Sequence, residues 1–157
     1  MFLHECRAWG IIMIIKITLA FFGSIFPAIL FNIDRRKIIL AGLCGAIGWA
    51  IYQILFYFTQ SPIIASFFGA IAIGIYSESL ARIIKSPAFS FLIPGIFPLV
   101  PGYKAYTALR HIVENNLSAA LDKGILTLAV AGSIGFGIMF STAMFKLVFK
   151  GKRAKRI

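Results

Sequence analysis

Apolar residues in this chain follow neither the strand period of two nor the 3.6-residue period of a surface helix. They run on for about twenty residues at a time between short polar borders. Residues 11–31 form one such run, ended by NIDRRK, and residues 38–58 a second, ended by TQSP. A third covers 63–84 and stops at KSP, with Pro62 well placed for a helix start. The fourth, 88–112, holds Pro94, Pro98 and Pro101, and the fifth, 125–149, leads into a basic tail. A helix of about 20 apolar residues crosses the ~30 Å of hydrocarbon in a bilayer. The pattern therefore predicts an all-α, polytopic integral membrane protein of about five transmembrane helices, the fourth broken by a Pro/Gly motif.

The borders also carry orientation, because lysine and arginine collect in short cytoplasmic loops. Arg35, Arg36 and Lys37 follow the first run, and Arg82 and Lys85 close the third. Lys146, Lys150, Lys152, Arg153, Lys155 and Arg156 gather after the fifth, while the border after the second run has no charge. Five crossings put all three clusters on the cytoplasmic side and the N-terminus outside. Four crossings, with a re-entrant proline segment, would export the richest cluster. The expected organisation is an N-terminal extension (1–12), one transmembrane domain (13–149) and a basic cytoplasmic tail (150–157) in the cell membrane. The first run is too long for a signal-peptide core and no A-x-A pattern follows it, so it reads as a retained span, with Met13 as an alternative start.

Composition agrees with the pattern: 60% hydrophobic and 13% charged residues, with a mean hydropathy of +0.92. The net charge of +11 would suit nucleic acid if it formed one face, but it is divided among span borders. The tail instead suits anionic headgroups, so the expected surroundings are a lipid bilayer and no nucleic acid. Cys6 and Cys44 make no disulfide framework. No metal or cofactor is expected. H-E-x-x-H, G-x-S-x-G and paired-aspartate patterns are absent, which argues against an enzyme. AGSIGFG lacks the Lys-Ser/Thr of a phosphate loop.

Two features offer chemistry. Small residues recur on the spans: Gly42, Gly45 and Gly48; Ser66, Ala70 and Gly74; and Gly132, Gly135 and Gly137. Such residues let helices approach closely in lipid. The third-span row continues at the same spacing to Glu78 and Arg82, a carboxylate and a cation one helical turn apart. They read either as a proton-coupling pair at membrane depth or as an interfacial pair with Arg82 reaching the headgroups.

The other feature is PGIFPLVPGYKAYTAL, residues 94–109. An open backbone is tolerated at membrane depth only inside protein or beside a wet cavity. Broken helices of this kind present a half-helix N-terminus to anionic solutes in many secondary transporters. Here Pro101-Gly102 would start the second half, and Gly95 would serve the first break. Tyr103, Tyr106, Thr107 and Arg110 share one helix face behind it, with Lys104 nearby. That face would suit a small carboxylate-bearing solute, and equally an interfacial tyrosine belt.

These residues carry a resemblance. PGIFPLVPGYKAYTAL resembles the signature of the threonine/serine exporter family, a proline-rich break ending in P-L-x-P-G with a tyrosine shortly after. ILFNID followed by GLCGAIGWAIY, with its G-x-x-G-W, is similar to the family's first loop and second span. The likeness covers about residues 13–145. It departs at Asp34, where relatives usually have proline, although aspartate also favours turns. Pro94, Pro98, Pro101, Gly102 and Tyr106 match the motif. The resemblance implies the family's small split subunit beside a larger membrane subunit. It implies export of threonine and serine or of C4 dicarboxylates, driven by the proton gradient. The alternative role is a structural subunit that stabilises a larger transporter without touching solute.

Overall fold

The computed structural model describes the backbone of residues 2–154 and the surroundings of Gly10 and of the side chains of residues 12–148. The side chains of most of the N-terminal extension and of the basic tail, with Met1 and residues 155–157, lie outside the described residues. Six α-helices follow one another: α1 Phe2–Leu30, α2 Arg35–Thr59, α3 Pro62–Ile84, α4 Phe89–Ile96, α5 Gly102–Val113 and α6 Leu117–Ala154. A 3₁₀ turn, Phe97–Leu99, joins α4 to the loop before α5. Four stretches are long and apolar enough to cross a membrane: Ile12–Leu30, Arg35–Thr59, Pro62–Ile84 and Leu117–Val148. The fold is that of a multi-pass, all-helical membrane protein.

The helix ends follow local backbone chemistry. Asn32, Gln60, Lys85 and Asn115 all take the left-handed conformation, at φ 53°, 52°, 53° and 57°. After three of them the next N–H reaches back over a full turn: Ile33 to the Ala28 carbonyl (3.1 Å), Ser86 to Ala81 (3.0 Å) and Asn116 to His111 (2.9 Å). These closures satisfy carbonyls that a helix end would leave open. Asn116 then starts α6, its Oδ1 accepting from the Ala119 N–H at 3.3 Å. That cap places the start of α6 eight residues before the apolar run that predicts it.

Small residues set the packing, and their contacts give the helix directions. Ala41 packs with Ala28, Gly45 meets Ser24 and Gln53 shares a pocket with Lys16, so α1 and α2 run antiparallel. Gly48 meets Ile73 while Cys44 lies 3.4 Å from Ser77 Oγ, so α2 and α3 are antiparallel too. Between α3 and α6 the order is the reverse. Gly137 abuts Phe67 and Ala70, Gly74 abuts Ser141, and Arg82 stands over Phe145. Position numbers rise together, so α3 and α6 are parallel.

Parallel neighbours force the chain between them to return across the bundle. The return begins as α4 and the 3₁₀ turn, wedged against α1, α2 and α3. Phe91 is buried with Ala28 and Ala41, Gly95 meets Cys44 and Ile73, and Leu99 meets Gly69. This wedge of 89–99 covers about 16 Å at ~1.5 Å per residue, half a bilayer core. α5 completes the return and packs on α6. The fourth predicted span is therefore two helices around a bend, with different neighbours on each side. The apolar part of α6, 32 residues, is about 48 Å long, well beyond the hydrocarbon thickness.

Candidate functional site

The motif residues divide into two groups. Pro94 and Gly95 are buried in the wedge, and Pro98 is half-buried where its ring approaches Gly45. Pro94 sits inside α4 and Pro98 in the first turn of the 3₁₀ helix, so each withdraws a backbone donor where the chain bends. Cys44 bonds across this region, its thiol 3.7 Å from the Ile73 carbonyl and 3.4 Å from Ser77 Oγ. The three helices α2, α3 and α4 thus meet at Gly95, where the lack of a side chain lets the sulfur in.

The second group lies on α5. Pro101 precedes the helix, no side chain caps it, and nothing lies within 4 Å of where a Gly102 side chain would start. Tyr103 and Tyr106 are exposed, at 80% and 63%. Thr107 donates to the Lys104 carbonyl (2.9 Å), and Arg110 is bound to Glu114 at 2.7 Å. The Arg110 hydrogen bond holds the Glu114 carboxyl below its ordinary range; burial opposes it, and the charges of Arg110 and His111 reinforce it. His111 Nδ1 lies 3.4 Å from the other Glu114 oxygen. The opposite face of α5 (Ala105, Ala108, Leu109, Ile112) lines an apolar groove of roughly 470 Å³ with Leu121 and Leu128 of α6. The tyrosine face and the wedge prolines therefore do not converge on one cavity.

On α3, Ser66, Ala70 and Gly74 are buried as the row predicts, and Glu78 is half-buried. The expected Glu78–Arg82 ion pair is not made. The Arg82 guanidinium instead lies 5.1 Å from the centroid of the Phe145 ring on α6, a favourable cation–π arrangement. Among the described residues no three His, Cys, Asp or Glu side chains gather to hold a metal ion.

Sequence reasoning passed over one site. A cleft of roughly 300 Å³ opens where the 3₁₀ turn leaves the bundle, lined by Lys16, Leu19, Ala20 and Gly23 of α1, Trp49 of α2, and Phe97 with Pro98. A smaller pocket joins Lys16 to Gln53. Lys16 is the only charged residue between Gly10 and Asp34, which is the signal that could have drawn attention to it.

The family model described as Threonine/Serine exporter, ThrE, matches residues 16–144. A curated protein of Corynebacterium glutamicum named "Threonine/serine exporter" is 29% identical over 106 residues, 68% of this chain and 22% of that protein. An uncharacterized protein of Haemophilus influenzae is 24% identical over 126 residues, 75% of this chain and 42% of its own length. The chain thus spans less than half the length of either relative. No solved structure gives a significant match.

Proposed function

The chain belongs to the threonine/serine exporter family, and from that membership we propose that it is the small subunit of a secondary transporter. Its transport role and multi-pass membrane character come with the family. The finer reading is export of threonine and serine or of C4 dicarboxylates, driven by the proton gradient, through a cell-membrane complex with the N-terminus outside and the basic clusters cytoplasmic. The broken fourth segment receives the solute.

The observation that carries this reading is the return between the parallel helices α3 and α6. It is built from a half-length wedge and a second helix whose start, at Pro101-Gly102, is uncapped and open. Free N–H groups at such a start favour an anionic group. Pro94, Gly95 and Pro98 shape the bend, while Gly102, Tyr103, Tyr106, Thr107 and Arg110 face the solute. Glu78, half-buried and without an ion-pair partner among the described residues, is the group assigned to proton coupling, with Arg82 beside it. The apolar hairpin of α5 and α6 supports a larger membrane subunit as partner, since Leu109, Val113, Leu117 and Leu128 are all more than 60% exposed.

Export from cells carrying both subunits tests the reading. Pro101→Ala and Gly102→Leu are expected to lower export severalfold at unchanged membrane levels. Export unaffected by either would remove the site from the break. Glu78→Gln is expected to flatten the dependence of export on external pH. A second reading, a structural subunit that never meets solute, draws on the outward-facing tyrosines and on Arg110 being already paired. Solute binding retained with Tyr103 and Tyr106 both changed to alanine would favour it.

A further inference from the structure

Lys16 lies within an apolar helix, about 6 Å along the axis from Ile12 at the start of the spanning stretch. Its side chain opens on the cleft against Trp49 and the Phe97–Pro98 turn. A cation at such a position calls for a polar or charged partner. Among the residues whose side chains are described, α1, α2, α4 and the 3₁₀ turn carry no Asp or Glu and Lys16 makes no ion pair; Glu5 of α1 lies outside them.

The polar groups around the cleft share the same deficit. Among the described residues, one buried side-chain polar atom without a hydrogen-bond partner belongs to this cleft. It is Nε1 of Trp49, in the cleft wall; the Oγ of Ser24 is fully buried against Gly45, behind that wall. Gln53 adds an amide at the outer rim. The walls are otherwise apolar: Leu19, Ala20 and Phe97. A cation and an unused indole N–H beside apolar walls match a small molecule with an oxyanion at one end.

We infer that Lys16 binds the carboxylate of a small solute in this cleft, with the Trp49 indole and the Phe97–Pro98 turn holding the remainder. This rests on the transport reading and deepens it. The wedge side of the break then holds the anionic end at a place of its own, in addition to the start of α5. A lipid phosphate offers Lys16 the same chemistry, and the structure favours the solute because the cleft continues past the ammonium to Trp49 and Pro98.

The chain has two tryptophans, Trp9 and Trp49, so Trp9→Phe leaves Trp49 as the reporter. The purified full chain in lipid-free detergent is titrated with L-threonine, with succinate and with threoninamide, which lacks the carboxylate. Trp49 emission is expected to respond saturably to at least one carboxylate probe and not to the amide. Lys16→Gln should weaken that response at least tenfold, and Lys16→Arg should restore most of it. Should Lys16→Gln not fold, acetylation of Lys16 in the unmodified chain, followed by mass spectrometry, is expected to slow at least threefold in saturating ligand.

An unchanged midpoint in Lys16→Gln overturns the proposal. So does silence of the parent toward both carboxylates, or a response confined to added phosphatidylglycerol. Export is measured in parallel. If Gly102→Leu abolishes it while Lys16→Gln leaves binding and export intact, the transport reading stands and the Lys16 site falls. If the complex exports none of the probes, the transport reading falls, and the fluorescence titration still decides the Lys16 site.

Discussion

The sulfur of Cys44 occupies the space that a side chain at Gly95 would need. A Cβ on Gly95 would lie 2.7 Å from Cys44 Sγ and 3.2 Å from both Cys44 Cβ and Ile73 Cγ2. This contact lets α4 descend between α2 and α3, and it fixes the depth at which the 3₁₀ turn emerges. The bend proposed for solute therefore depends on two residues with no polar role toward solute.

Gly95→Ala is expected to destabilise the bundle by about 1–3 kcal/mol, the usual cost of overpacking a filled site. Adding Cys44→Ala should return most of that loss, because the nearest atom is then gone. Thermal unfolding of the four proteins in detergent measures the cycle, and coupling below about 0.5 kcal/mol would mean the two residues do not compete for this space.

Gly137→Ala should be among the most damaging small substitutions on α6. Its Cβ would lie 2.6 Å from the Phe67 carbonyl oxygen and 2.9 Å from Ala70 Cβ, and backbone cannot swing aside. Gly132→Ala meets nothing within 4 Å and should gain up to about 0.5–1 kcal/mol from lower helix flexibility. Equal shifts in unfolding temperature for the two variants would contradict the α3–α6 register.

That contrast marks what the sequence could reveal. The four long apolar helices, the bend at Pro94–Pro101 and the glycine rows were legible, because they follow from hydropathy and from proline's missing donor. Which glycines pack was not: Gly42, Gly45, Gly48 and Gly137 are buried, whereas Gly132 and Gly135 are exposed. In lipid both faces of a helix are apolar, so composition does not mark the packed one. The i,i+4 spacing of Glu78 and Arg82 suggested a pair, yet Arg82 turns to Phe145 on a helix sixty residues away. Lys16 escaped notice because basic residues were read at the borders, and its role emerges only from what α2 and the 3₁₀ turn bring beside it.

The loop between α1 and α2 should titrate below the ordinary carboxylate range. Lys37 donates to the Asp34 carboxylate and adds its charge, and together these lower the Asp34 pKa against a small opposing effect of burial. A carboxyl with a lowered folded-state pKa stabilises above its unfolded value, and the contribution disappears as pH falls through the folded value. The Asp34 side chain is exposed, so the effect on stability is small. Carbon-detected NMR of the labelled protein should give a midpoint below the ordinary carboxylate range for Asp34, moving up in Lys37→Gln. A midpoint unmoved by Lys37→Gln would dissolve the pair.

The parallel run of α3 and α6 makes the last prediction, about sidedness. With Cys6 and Cys44 changed to serine, single cysteines at positions 36, 85 and 146 should react with an impermeant maleimide from one face of sealed vesicles. Cysteines at 60 and 115 should react only from the other. The assignment follows from antiparallel α2 and α3, which bring Arg36 to the end of α3 that holds Lys85, and from the Arg82–Phe145 contact, which brings Lys146 to the same end. A re-entrant 88–112 segment would instead leave α6 antiparallel to α3, and position 146 would label together with 60. Labelling of 146 with 85 therefore requires the broken segment to cross, with its loosened backbone at membrane depth. Comparing right-side-out with inverted vesicles also tells which face is cytoplasmic, where the proposed orientation puts Arg36, Lys85 and Lys146.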